Sequence, residues 1–292
     1  MKTGVVFPQT EIGADPAAVR DYGQAVEGLG YSHMMAYDHV IGADTSHHEN
    51  WQGSYTAESM FHEPFVLFGY LAGVTTTLEL GTAVLILSQR QTALVAKQAA
   101  EVDLLTGGRL RLGVGVGWNH VEYEALNQDF SNRGSRYAEQ ITLLREFWTK
   151  DTVGFEGKYH KVDHAGVNPQ PVQRPIPIWM GAVGPGMPVG PHRVLRRVGR
   201  LADGYFPLCE AGDTARTLIE TVKRYAQEAG RNPDDLKIEG RIELTGTPED
   251  WQTQLLAWEA LGADLVSIGT ARAPFHTPHE HIQAIKTFKE II

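Results

Sequence analysis

Asp38 and His39 stand side by side at the end of the apolar run Ser32–Tyr37. An imidazole working near neutral pH can exchange a proton with a substrate there, and an adjacent carboxylate can hold or charge it. The bland alternative is that Asp38 caps the outgoing loop and His39 lies on the surface. Gly113, Gly115 and Gly117 follow in LGVGVGWNH. A dinucleotide fingerprint needs G-x-G-x-x-G at the first strand-to-helix turn, so here the third glycine comes one residue early and too deep in the chain. These glycines can instead let a planar ring approach a strand end where a Cβ would collide. Trp118 would then stack on the ring and Asn119 hydrogen-bond to it; a glycine-rich turn without a ligand is the competing reading. The segment GAVGPGMPVG, Gly181 to Gly190, opens a helix carrying Arg193, Arg196 and Arg197. Free N–H groups and a positive dipole end suit a phosphate, with Arg193 best placed to assist. Against this, Pro185 and Pro188 lack N–H donors, and the arginines can equally form a solvated helix face.

Other chemistries find less support. His33, His39, His47, His48 and His62 crowd the first quarter of the chain, yet no H-x-H closes a strand and no H-E-x-x-H lies on a helix. The lone Cys209 rules out a thiolate cluster, so no metal site is expected. No G-x-S-x-G nucleophile turn occurs. A formal charge of -9 opposes a basic footprint, which excludes nucleic acid and anionic membrane surfaces and leaves a small-molecule substrate as the expected partner. Without a signal-like apolar stretch or a long apolar run, the chain reads as cytoplasmic.

Something must position these residues, and 292 residues that are 42% apolar and 21% charged can build a large core. Strand character at Thr3–Phe7, Ser32–Tyr37, Leu78–Leu87, Arg109–Val114, Ile176–Met180, Gly204–Phe206, Lys237–Leu244 and Leu265–Gly269 alternates with helical segments. The helices carry local signals, such as Asp15-Pro16 at the first start and Thr247-Pro248-Glu249-Asp250 and Thr277-Pro278-His279-Glu280 at the last two. Eight strand-then-helix units without a composition break predict a single α/β domain over 1–292, a (β/α)₈ TIM barrel, with a doubly wound open sheet as runner-up. Two insertions interrupt the rhythm. His39–His62 follows strand two and should lie over the catalytic face; Asp151–Pro175 precedes strand five and contains a predicted hairpin, Val153–Phe155 with Tyr159–Val162.

Taken together, Asp38-His39, the stretch GTAVLILSQRQTALVAKQAAEVDLLTGGRLRLGVGVGWN (Gly81–Asn119), PIPIWMGA (Pro175–Ala182) and RVGRLADGYFP (Arg197–Pro207) resemble the luciferase-like monooxygenase family over almost the whole chain. The resemblance implies a barrel that uses either FMN or the deazaflavin coenzyme F420. YDHV and TGGRLRLGVGVGWN are more similar to the F420-dependent branch. It further implies Asp38 and His39 near the reactive face of the ring, with Asp38 orienting His39. A non-prolyl cis peptide at Ala83-Val84 would buttress the ring, Gly115 to Asn119 would lie beside it, and phosphate binding would begin at Gly181-Ala182. The proline-containing loop from Val183 to Pro191 departs from the family pattern, and Arg241 on strand seven is a candidate for the cofactor tail or substrate. Hydride exchange with a small organic substrate is the implied reaction; the FMN alternative is an oxygen-using monooxygenase supplied by a flavin reductase. A reductase partner and a homodimer follow from the same analogy. Different classes of answer on the same barrel are a cofactor-free lyase or hydrolase and a non-catalytic flavin-binding protein.

Overall fold

The computed structural model describes residues 1–48, 51–182, 192–271 and 273–292. Its first strand β1 (Lys2–Val6) leads through α1 (Pro16–Gly28) to β2 (His33–Ala36), and α2 (Pro64–Ala72) leads to β3 (Glu79–Thr82) and β4 (Leu85–Ile86). Next come α3 (Thr92–Thr106), β5 (Leu110–Gly115), α4 (His120–Ala125) and α5 (Arg133–Thr149), then a hairpin of β6 (Val153–Glu156) and β7 (Lys161–Ala165). The second half runs β8 (Ile178–Ala182), α6 (His192–Leu201), β9 (Gly204–Pro207), α7 (Asp213–Glu228), β10 (Lys237–Glu243), α8 (Pro248–Ala260), β11 (Leu265–Gly269) and α9 (Pro278–Ile291).

All ladders between staves are parallel. β1 lies between β11 and β2, β2 meets β3, and β3 and β4 both pair with β5; β5, β8, β9, β10 and β11 complete the ring. The result is a closed barrel of eight staves wrapped by helices, as the alternating units predict. The open-sheet runner-up fails because β3, at one end of the strand order, pairs with β5 near the other and leaves no edge. Stave three departs from expectation: the predicted strand Leu78–Leu87 is two short strands separated at the cis peptide Ala83-Val84, followed by a 3₁₀ turn over Leu87–Gln89.

Local signals explain the helix starts. The Asp15 side chain accepts from the Ala17 N–H, Glu63 caps α2 through the Val66 N–H, and α8 and α9 each carry a complete capping box. The hairpin forms where expected, although its second strand begins at Lys161 rather than Tyr159. The sequence starts the helix that carries Arg193 at about Val189, a position outside the described residues. Among those described, no helix is long and apolar enough to cross a membrane.

The barrel interior is layered. At its base His33 Nε2 meets Glu239 Oε1 at 3.1 Å and Ser267 Oγ at 3.0 Å, while Arg111 pairs with Glu239 and, at 2.7 Å, with Glu79. Buried charges are tolerated only when paired in this way. The Arg111 guanidinium also lies 4.3 Å from the Trp179 ring centre. Above this layer Met35, Trp179 and Phe206 form an apolar plug, with Ala83 and Val84 packed on it from the mouth side.

Candidate active site

Glu122, absent from the residues singled out by sequence, organises the mouth of the barrel. It is fully buried; one carboxylate oxygen accepts from His39 Nδ1 at 2.9 Å, and the other accepts from the N–H groups of Val40 at 2.5 Å and Ile41 at 3.3 Å. A buried carboxylate is tolerable because three donors converge on it. With Nδ1–H donating to Glu122, the neutral His39 ring leaves Nε2 as an acceptor. That nitrogen has no hydrogen-bond partner among the described residues. The ring is boxed by Phe61, Tyr55 and Trp118, with centroids at 4.9, 5.1 and 5.3 Å.

Asp38 does something other than expected. Its buried carboxylate accepts from Arg90 Nη2 at 2.7 Å, from Arg90 Nε at 3.2 Å and from the Ile86 N–H at 3.0 Å. Arg90 also reaches Glu63 at 2.9 Å. Asp38 therefore ties the end of β2 to the turn after β4 and to the cap of α2. The expected orientation of His39 by Asp38 is replaced by Glu122, because adjacent residues on an extended chain point to opposite sides. Burial opposes the Arg90 charge, but Asp38 and Glu63 outweigh it and hold the guanidinium above its ordinary value.

The glycines also find a different use. A Cβ on Gly115 would lie 2.5 Å from Val84 Cγ2, and one on Gly117 would lie 2.6 Å from Ile86 Cγ2. Their small size admits side chains of stave three, and Gly117 additionally holds φ at +62°. Trp118, 41% exposed, packs at a tilt against His39 and Trp51. Asn119 is buried and committed to the chain: its carbonyl oxygen accepts from the Val121 N–H and caps α4, while its amide donates to the Ile41 carbonyl at 3.2 Å. The Ala83-Val84 peptide is cis, as the resemblance implies, and both side chains are half-buried.

Gly181 and Ala182 end β8, and Arg193 is exposed in the first turn of α6; the loop 183–191 expected to hold phosphate lies outside the described residues. Arg241 points into the barrel above Glu239, paired with Glu243 at 2.5 Å, and Glu243 Oε2 has no hydrogen-bond partner among the described residues. Burial pushes the hydroxyl of Tyr37 well above its ordinary value, and Arg241 pulls the other way, which puts that cation near the Tyr37 side of the mouth.

A cavity of about 380 Å³ opens beside His39. Every described residue lining it, from His39, Val40, Ile41 and Gly42 to Tyr55, Thr56, Ala57, Ser59 and Phe61, belongs to the insertion after β2. The arrangement can bind a small molecule of mixed polarity and exchange a proton with it at His39 Nε2. Glu122 did leave a trace in the sequence: Asn119 followed three residues later by Glu122 is an N-cap pattern, which marks α4.

Comparison with known proteins agrees with this architecture. The profile of the luciferase-like monooxygenase family matches residues 1–245. The chain is similar to the F420-dependent glucose-6-phosphate dehydrogenase of Segniliparus rotundus, 29% identical over 253 residues that cover 81% of this chain and 67% of that protein. Two solved structures superpose over the full length. Monooxygenase RslO1 from Streptomyces bottropensis does so with a TM-score of 0.80 at 16% identity, covering 100% of this chain and 98% of that one. The coenzyme F420-dependent tetrahydromethanopterin reductase from Methanopyrus kandleri gives 0.77 at 15% identity, with coverage of 100% and 98%. At such identities the likeness speaks for the shared barrel alone.

Proposed function

The chain belongs to the luciferase-like monooxygenase family, and from that premise we propose that it is an F420-dependent oxidoreductase acting on a small organic substrate held against His39. The observation that carries this reading is the state of His39: Nδ1 is fixed by a buried carboxylate, Nε2 is free among the described residues, and the ring lines a cavity of about 380 Å³. An F420-dependent dehydrogenase among the relatives supports the choice of cofactor.

The residues at the mouth fit a flat redox ring. Ala83 and Val84 would seat it on the plug of Met35, Trp179 and Phe206. Arg241 and Glu243, with Glu243 Oε2 lacking a partner, offer a donor and an acceptor to its polar edge. When bound, F420 gives or accepts a hydride and reacts poorly with oxygen. Reduction of a carbonyl needs one hydride at carbon and one proton at oxygen, and dehydrogenation of an alcohol is the reverse. His39 delivers or takes that proton at Nε2. Glu122 stabilises the imidazolium and keeps the ring oriented in both directions. Phe61, Tyr55 and Trp118 keep water from the imidazole, which strengthens its electrostatic coupling to Glu122.

Difference spectroscopy during titration with F420 and, separately, FMN tests the reading. F420 should bind and stay with the protein through gel filtration. Retention of FMN in its place would assign the chain to oxygen-using flavin chemistry, and retention of neither would end the redox reading.

A further inference from the structure

A second cavity, about 410 Å³, lies outside the barrel between α3, α5 and the β6–β7 hairpin. The N-terminus of α3 opens into it through Thr92 and Ala93, and this end of the helix is bare. Its capping position, Gln91, makes no side-chain bond to the helix, and no acidic residue stands in the first turn. Thr92 cannot help, because its hydroxyl is spent: it accepts from Gln140 Nε2 at 3.0 Å and donates to His160 Nε2 at 2.8 Å, while His160 Nδ1 donates to Glu139. The first N–H groups of α3 and its positive dipole end therefore face the cavity without an acceptor.

Arg136 supplies an independent sign. It is 7% exposed and lines the same cavity, yet no carboxylate among the described residues lies within ion-pair distance. One Nη donates to the Ser88 carbonyl and the guanidinium lies 6.0 Å from the Tyr123 ring centre, whereas Nε has no hydrogen-bond partner among the described residues. Asp129 acts on it only at a distance and is occupied by Ser131 and Asn132. Burial lowers its pKa, the sign expected of a cation without a counter-ion. Buried guanidinium groups are normally paired, so this one calls for an anion from outside the chain. Lys161, exposed and only loosely paired with Glu156 at 3.8 Å, adds a second positive charge at the rim.

Arg90, Gln91, Gln128, Tyr159 and His160 make the rest of the rim polar, and the apolar part of the lining is confined to one wall. Leu143 and Phe147 follow Arg136 on one face of α5 and line the wall below it. The volume exceeds what a lone inorganic oxyanion fills and falls in the range of small-molecule sites. We propose that this cavity is a second binding site, for a small organic acid. Its carboxylate or phosphate sits at the α3 N-terminus between Arg136 and Lys161, and its apolar body lies on Leu143 and Phe147. The site stands apart from the His39 cavity and does not depend on the redox reading.

Isothermal titration with benzoate, and with benzamide as its uncharged counterpart, tests this on the intact protein. Benzoate should bind at millimolar concentration, benzamide should not, and inorganic phosphate should compete. Ala93→Asp places a carboxylate on the exposed first turn of α3, where it favours the helix but repels an anion. That variant should keep or raise Tm and bind benzoate about tenfold more weakly or worse. Lys161→Gln should weaken binding by a smaller factor, and His39→Ala should leave it unchanged. Equal affinity for benzamide, unaltered binding in Ala93→Asp, loss of binding in His39→Ala, or no binding of benzoate at all overturns the proposal.

Discussion

Glu122 Oε2 lies 2.9 Å from His39 Nδ1 although 83 positions of chain separate the two residues. The imidazole comes from the segment after β2 and the carboxylate that holds it from α4 after β5, so the barrel, not the local sequence, brings the pair together. His39's own neighbour, Asp38, faces Arg90 instead. This division of labour makes the two carboxylates separable by experiment.

Replacing His39 with Ala should lower turnover by about 10²–10⁴ with cofactor affinity nearly kept, because only proton exchange is lost. Glu122→Gln should cost about 10–100-fold, by analogy with the partners that orient metal-bound imidazoles. Steady-state kinetics in both variants, with cofactor Kd measured by titration, checks this; unchanged kcat in His39→Ala removes the imidazole from the chemistry.

Asp38→Ala strands a largely buried guanidinium, so the principal damage should be to stability. Losing one partner of a buried ion pair typically costs about 3–5 kcal/mol, and Arg90 retains Glu63, which places the expectation at the lower end. Urea unfolding measures it. A variant as stable as the parent but catalytically dead would return Asp38 to the reaction.

Stability in acid should depend on the base of the barrel. Burial works against the Glu239 charge, but Arg111, His33 and Ser267 prevail and hold its carboxyl at about 2, against an ordinary value of 4.5. Since the folded value is the lower one, the contribution is complete above about pH 4.5 and disappears as pH falls toward 2. Its size is on the order of 3 kcal/mol. The gap in unfolding free energy between the parent and Glu239→Gln should accordingly narrow through that window, and a constant gap would refute the assignment.

Gly117→Ala combines a left-handed backbone with a Cβ placed 2.6 Å from a methyl of Ile86. Left-handed geometry costs an L-residue about 1–2 kcal/mol, and crowding a β-branched neighbour adds to it. Thermal unfolding should show a clear drop in Tm; an unaltered Tm would mean that the turn relaxes freely.

Much of the architecture was readable from local signals. Alternation of apolar runs with capped helices gave the order of the eight units, since caps and periodicity act over only a few residues. Thr247 and Asp250 announce α8 by themselves, as Thr277 and Glu280 announce α9. What could not be read was contact across staves. Neither the grip of Glu122 on His39 nor that of Arg90 on Asp38 follows from spacing, because each depends on strand register and on where a loop turns back. Gly115 and Gly117 make the same point: small residues invite a close neighbour, but sequence does not say that it is Val84 or Ile86.

The walls of the His39 cavity all come from one uninterrupted stretch, positions 39 to 61, cinched where Ala43 bridges Thr56. If the proposed function holds, selectivity is written in a single cassette mounted on a scaffold that it does not help to close. Exchanging that cassette as a unit is then the economical way to redirect the protein toward other molecules, leaving the staves untouched.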